Sequence, residues 1–262
     1  MVIDNDVYNR LAGTWWDENE MLSVLREGLT PPRFGYFRDV LRRLGVDPQG
    51  APTLDIGCGG GFLAEEFARI GCRVVGIDPS GPSLEAGRRH AAAEGLEIDY
   101  REGRGEALPV ESGSFRIVYC CDVLEHVGDV GAVIGEVARV LVPGGIFFFD
   151  TINRTLRSKL LYIKLFQEWS WTSFMPPNLH DWDMFITPQE IEAHLRAHGL
   201  ESQEIVGISS ESRNPLDLIR TLRRRKLGRI SFAEFSRNAR LQASKDTSVS
   251  YMGYAHQPAE AS

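Results

Sequence analysis

From Pro52 onward the chain alternates short apolar runs with segments of helical spacing. Residues 53–56, 73–77 and 98–101 read as strands. Residues 62–70 and 82–94 read as helices between them; the second has Pro82 in its first turn, where a missing N–H costs nothing. Residues 114–121 predict a fourth strand and 130–141 a helix. Val142-Pro143-Gly144-Gly145 predicts a sharp turn, and Ile146-Phe147-Phe148-Phe149-Asp150 a fifth strand, apolar on both faces as a strand covered from both sides must be. Thr187-Pro188-Gln189-Glu190 opens a helix over 191–198 with a capping box, and Gly199 ends it. Residues 203–208 and 249–256 predict a final antiparallel pair. The expected fold is α/β, a doubly wound, mostly parallel seven-stranded sheet, Rossmann-like, with ligands at the carboxyl ends of its strands.

The flanks break this rhythm. Residues 1–50 predict an N-terminal helical cap and 51–262 the core, with insertions at about 155–186 and 213–245. In the cap, Pro31-Pro32 is expected to end one element, and Phe34, Phe37, Val40, Leu41 and Leu44 mark a helix from Arg33 to Leu44. Trp15-Trp16 suits either a packed cap or the apolar wall of a lid over a ligand. Residues 155–176 mix Leu, Phe and Trp with Arg157, Lys159 and Lys164, a pattern of a packing helix or of one lying on a membrane surface. Residues 213–240 run from Arg213 to Arg240 with only Asp217 and Glu234 as acids, a solvated helical face or a patch for anionic headgroups. Residues 257–262 are expected to fray.

Composition narrows the class. The chain has 262 residues, 43% hydrophobic and 25% charged, enough for one sizeable core. A net charge of -7 argues against a general nucleic-acid binder. No apolar run reaches the length of a spanning helix, and the polar, acidic start is not a secretory signal. Four irregularly placed cysteines suit neither a disulfide framework nor a zinc site, which points to a reducing cytoplasm.

Candidate chemistry gathers at the strand ends. Asp55-Ile56-Gly57-Cys58-Gly59-Gly60-Gly61 joins the first strand to its helix. Glycines there turn at positive φ and let a ligand approach the backbone, and the helix start beyond receives an anionic group. Asp78, with Pro79 after it, ends the next strand, where an acid accepts two ribose hydroxyls. Glu106 lies in the loop after the third strand. Asp122-Val123-Leu124-Glu125-His126 offers hard oxygens and an imidazole, a donor set for Mg²⁺, Mn²⁺ or Zn²⁺ or simply a shaped loop. His180, in Asn178-Leu179-His180-Asp181-Trp182, is a loop histidine expected to titrate near neutrality, a general base or a hydrogen-bonded surface residue.

Asp55 to Gly59 with Gly76-Ile77-Asp78 resembles the first motif and acidic strand end of class I S-adenosylmethionine (SAM) methyltransferases, and fits a nicotinamide site less well. Trp15-Trp16-Asp17, Arg33-Phe34-Gly35-Tyr36, Leu124-Glu125-His126-Val127, Thr151-Ile152-Asn153-Arg154 and His180-Asp181-Trp182 with Phe185-Ile186-Thr187-Pro188 extend the resemblance to the ubiquinone-biosynthesis O-methyltransferases. The resemblance implies SAM held by Arg33, Asp55, Gly57, Cys58, Gly59, Asp78, Pro79, Glu106 and Asp122. It implies an apolar aromatic acceptor, a phenol, catechol or hydroquinol, activated by His180, Glu125 and His126 or by a divalent cation on Asp122, Glu125 and His126. Peripheral contact with the inner face of the membrane through 155–176 or 213–240 is a further implication. The family usually has Glu where Asp122 stands. C-methylation of a quinol ring and SAM binding without catalysis stay open, and the oligomeric state is not legible.

Overall fold

A computed structural model describes residues 3–212 and 214–259; Arg213 and the end of the tail, residues 260–262, lie outside the described residues. The N-terminal segment folds as a short helix α1 (Val7–Leu11), a 3₁₀ turn (Ala12–Thr14) and a π-helical stretch (Leu25–Leu29) that runs straight into α2 (Thr30–Arg43). Pro31-Pro32 therefore does not end an element. The pair sits in the first turn of α2, where proline's missing N–H has no partner to lose.

The alternation follows as expected: β1 (Pro52–Ile56), α3 (Phe62–Arg69), β2 (Arg73–Asp78), α4 (Gly81–Ala93), β3 (Ile98–Glu102), β4 (Phe115–Cys120), α5 (Val130–Val140) and β5 (Leu141–Ile152). The Val142–Gly145 turn is absorbed into β5, whose register against β4 shifts between Phe115 and Ile117. After β5 come α6 (Leu156–Ser158), a π-helical stretch (Lys159–Glu168), α7 (Pro188–Ala197), β6 (Glu201–Ser210), α8 (Pro215–Lys226), α9 (Phe232–Ala239), β7 (Leu241–Ser244) and β8 (Ser250–His256).

The strands form one sheet of order β3-β2-β1-β4-β5-β8-β6-β7, parallel from β3 to β5 and antiparallel beyond. It has eight strands where the sequence led us to expect seven. The extra one, β7, returns from the second insertion and pairs with the outer edge of β6, through Gly207 to Ser210. Its four residues, Leu-Gln-Ala-Ser, are too short a run to mark a strand, and none of them is buried.

Both faces of the sheet are covered. On one, Leu54, Val118, Phe147 and Phe149 meet Val133, Val137, Ile191 and Leu195 of α5 and α7. On the other, Ile117, Tyr119 and Phe148 meet Phe37, Leu41, Phe67 and Leu84 of α2, α3 and α4. Successive side chains of β5 thus enter opposite cores. The two insertions pack on each other through Leu165, Leu222, Ile230 and Phe235, with Val24 of the N-terminal segment against them. Leu156, Trp169, Trp171, Leu216 and Leu227 stay exposed. Among the described residues no helix is long and apolar enough to cross a membrane.

Phe148 stacks on Phe37 at 4.5 Å between ring centroids and is fully buried. Phe148→Ala is expected to destabilise the fold by about 3–5 kcal/mol, read from equilibrium denaturant unfolding. A loss within 1 kcal/mol would mean that α2 is not docked on the sheet by this contact.

Candidate active site

The glycine turn is built as its composition requires. Gly57, Gly59 and Gly61 have φ of +73°, +50° and +88°, and the amides of Gly57 and Cys58 donate to Ile77 O at 2.7 and 3.1 Å. A Cβ on Gly57 would run into Val123, and one on Gly59 or Gly60 into Trp15. Trp15 therefore lies directly on the turn, its Nε1 donating to Ser83 Oγ at 3.0 Å. Trp16 donates from Nε1 to Gly60 O at 3.1 Å and stacks on His90 at 3.3 Å; His90 in turn meets the buried carboxylate of Glu65 at 2.7 Å. The tryptophan pair packs as part of the cap, and Trp15 also walls a cavity beneath it.

That cavity, of about 480 Å³, lies at the carboxyl ends of β1, β2 and β4, the size of a small-molecule cofactor site. Asp55, Gly57, Cys58 and Gly59 line it from the turn, Asp78 and Pro79 from the end of β2, Glu106 from the loop after β3, and Arg33 and Asp122 from α2 and the end of β4. Asp78 accepts from Gly59 N at 2.9 Å and Ser80 N at 2.8 Å; burial raises its pKa and these two amides pull it back. Burial raises Asp55 further, against the pull of the nearby Tyr119 hydroxyl.

Of the three catalytic candidates, His126 lines the cavity, and Glu125 and His180 stand behind it. Arg104, beside Glu106 in the loop after β3, lines it too, and sequence reading missed Asn5, Tyr8 and Asn9, which line it from the N-terminal segment, and Thr30 at the start of α2. No local signal marks them, because only the docking of the cap brings them there.

Beside the cavity lies a buried ionic cluster. Arg33, 4% exposed, pairs with Asp122 at 2.5 Å and with Asp150, and Asp150 Oδ1 accepts from Asp122 N at 2.9 Å. Asp122 takes φ +54°, a conformation rare for a residue with a Cβ, which turns its carboxylate to the guanidinium. Burial works against the charge on Arg33, and Asp122 and Asp150 outweigh it. Glu125, 1% exposed, accepts from Thr151 Oγ1 at 2.8 Å, while its Oε1 has no partner. Burial, then Asp122 and Asp150, raise its pKa, so Glu125 favours the protonated form.

His126 and His180 stand with ring centroids 5.1 Å apart, and Nδ1 of each is buried without a hydrogen-bond partner. Burial pushes the His126 pKa down to about 4 and that of His180 well below the ordinary value. His180 is thus not the near-neutral surface histidine its loop suggested. It is 7% exposed, its backbone is tied by the Gln167 side chain at 2.8 and 3.1 Å, and Tyr162 stands edge-on to its ring at 5.5 Å.

The donor set expected for a divalent cation does not assemble. Among the described residues no three His, Cys, Asp or Glu side chains converge to hold a metal ion. Asp122 is turned to Arg33, Glu125 to Thr151, and His126 to His180, so the three residues adjacent in sequence face three ways.

Residues 54–149 match the family described as methyltransferase domain. The ubiquinone biosynthesis O-methyltransferase of Methylobacterium sp. (strain 4-46) is 34% identical over 96% of this chain and 93% of its own length. That of Azorhizobium caulinodans is 37% identical over 77% and 81%. In fold, the chain resembles a SAM-dependent methyltransferase from Aquifex aeolicus, with TM-score 0.59 and 13% identity over 95% of this chain and 98% of that one. It also resembles the [4+2]-cyclase SpnF, with TM-score 0.59 and 18% identity over 86% and 82%, so the fold by itself does not fix the reaction. The sequence relatives supply what the fold leaves open: this chain belongs to the ubiquinone biosynthesis O-methyltransferase family and is a SAM-dependent methyltransferase.

Proposed function

We propose that this enzyme methylates a hydroxyl of an apolar phenol, catechol or hydroquinol, with a tailed quinone-precursor ring as its natural acceptor. The observation that carries the reading is His126: a neutral imidazole on the wall of a cavity whose other end is the glycine turn and Asp78. The names of the relatives point to the same acceptor class.

In this reading the glycine turn, with Cys58 and Asp55, receives the methionine part of SAM. Asp78 accepts the ribose hydroxyls, and Pro79 and Glu106 border the adenine. Arg33 and Asp122 face the amino-acid end, where their ion pair presents both signs of charge to a zwitterion. SAM, when bound, supplies a sulfonium-activated methyl group. The acceptor oxygen forms its bond to carbon as the sulfur–carbon bond breaks in line, and the hydroxyl proton passes to an imidazole nitrogen. His126 is placed for that proton and His180 stands behind it. Their low pKa makes them weak bases, so proton loss must accompany methyl transfer rather than precede it. The acid cluster does not present the donors a divalent cation needs, and no step is assigned to one. The exposed Leu156, Trp169 and Trp171, beside Arg157 and Lys164, support a resting place for residues 155–176 on an anionic membrane surface; the basic face of α8 supports the same for 213–240.

Transfer of labelled methyl from SAM to a panel of catechols and prenylated hydroquinols should proceed at the same rate with and without EDTA. The limb that belongs to His126 should fall only below about pH 5, because its protonation waits until its pKa near 4. An acid limb at the pKa of a free histidine, about 6.5, or abolition by EDTA would contradict the imidazole assignment. Asp78→Ala should raise the KM for SAM at least tenfold with a smaller change in kcat; unchanged kinetics would remove Asp78 from the ribose. Sedimentation with vesicles should show binding to anionic but not zwitterionic lipid, lost in high salt, and indifference to lipid charge would sink the membrane reading.

A further inference from the structure

Tyr8 is the one aromatic side chain that the N-terminal segment sends into the cavity beside Trp15. Its ring is held on two sides, stacked on Trp15 with centroids 6.3 Å apart and edge-on to His126 at 6.0 Å. Its backbone carbonyl accepts from Ser83 Oγ at 3.4 Å. Its hydroxyl, by contrast, makes no hydrogen bond among the described residues. Burial, then the carboxyls of Asp122, Glu125 and Asp78, raise its pKa far above the ordinary value, so the hydroxyl keeps its proton and is available to donate.

The three carboxyls that act on Tyr8 span the site. Asp78 lies on the ribose side, and Asp122 and Glu125 on the side of the two histidines. The Tyr8 ring lies between Trp15, which covers the glycine turn, and His126, and so between the two ends of the cavity. Nearby, His126 lines the cavity and has an Nδ1 without a hydrogen-bond partner among the described residues, a polar group whose burial is costly until something satisfies it. A ligand with a single hydroxyl satisfies one imidazole. A ring with two adjacent oxygen functions can also accept from a donor beside it.

Resting on the phenol-acceptor reading above, we propose that Tyr8 is an acceptor-binding residue: its hydroxyl donates to the ring oxygen next to the hydroxyl being methylated, and so selects which of two adjacent oxygens meets the imidazole. A donor on the reacting oxygen itself would blunt its nucleophilicity; a donor on the neighbour orients the ring at no such cost. The N-terminal segment then does more than cover SAM, since the acceptor site is complete only when it lies across the cavity.

The test is Tyr8→Phe, which keeps the ring against Trp15 and His126 and removes only the hydroxyl. Three readings are taken with the full-length protein: SAM affinity by calorimetry, kcat/KM for a catechol and for the matching monophenol, and the ratio of the two mono-O-methyl products from an unsymmetrical catechol. The expected result is unchanged SAM affinity, a fall of about tenfold in catechol kcat/KM, the worth of one neutral hydrogen bond, little change for the monophenol, and a product ratio moved toward equality. Equal losses on both substrates, or an unaltered product ratio, overturn the assignment, as does a change confined to SAM affinity. Wild-type protein that turns over no phenol at all would instead overturn the acceptor reading on which this inference stands.

Discussion

A guanidinium buried at 4% exposure constrains everything around it. Arg33 on α2 must find anionic partners, because a buried charge left alone costs about 3–5 kcal/mol. It finds Asp150 inside β5 and Asp122 just past β4. This pins α2, and with it the whole N-terminal segment, over the carboxyl edge of the sheet. It also forces Asp122 into a left-handed turn, which aims the following Leu124–His126 turn back under the cavity. One cation cannot neutralise three carboxyls, so Glu125, which has no ion-pair partner among the described residues, is driven toward its neutral form, and burial raises the pKa of Asp150 as well. The chemistry of the proposed acceptor end follows from that count of charges: an acid favouring its protonated form and two neutral imidazoles.

The second tie is aromatic. Trp15 fills the space that Gly59 and Gly60 leave open, and His90, itself held by Glu65, stacks on Trp16. Glycine at this turn thus serves two partners, the ligand on one side and an indole on the other. The α8–α9 insertion closes against the same segment: Ala233 N donates to Glu18 O at 3.1 Å, and Arg237 meets Glu27 at 3.1 Å. Cap, insertion and glycine turn form one connected body around the cavity, so a change in any of the three is felt at the site.

Much of this was readable in the chain itself. Short apolar runs and period-3.6 spacing placed β1 through β4 and α3 through α5 within a residue or two, because burial on both faces of a parallel sheet leaves little freedom in where apolar residues fall. The Asp-x-Gly-x-Gly turn and Asp78 marked one wall of the cavity, the proposed SAM end, since a backbone that must approach a ligand at positive φ tolerates few residues but glycine. What the sequence could not show was direction and company. Adjacent residues Asp122, Glu125 and His126 looked like one donor set, and their side chains diverge because each answers to a different distant partner. Pro31-Pro32 reads equally as an end or a beginning, and only the continuity of the preceding π-helical stretch decides it. β7 exists because an exposed edge of β6 offers it hydrogen bonds, not because of its own residues. Tyr8 and the low pKa of His180 belong to the same class: both arise from burial by segments far away in sequence. The local pattern determined the elements and the cofactor turn; the acceptor site was decided by tertiary packing, because desolvation and charge pairing act through space and leave no mark along the chain.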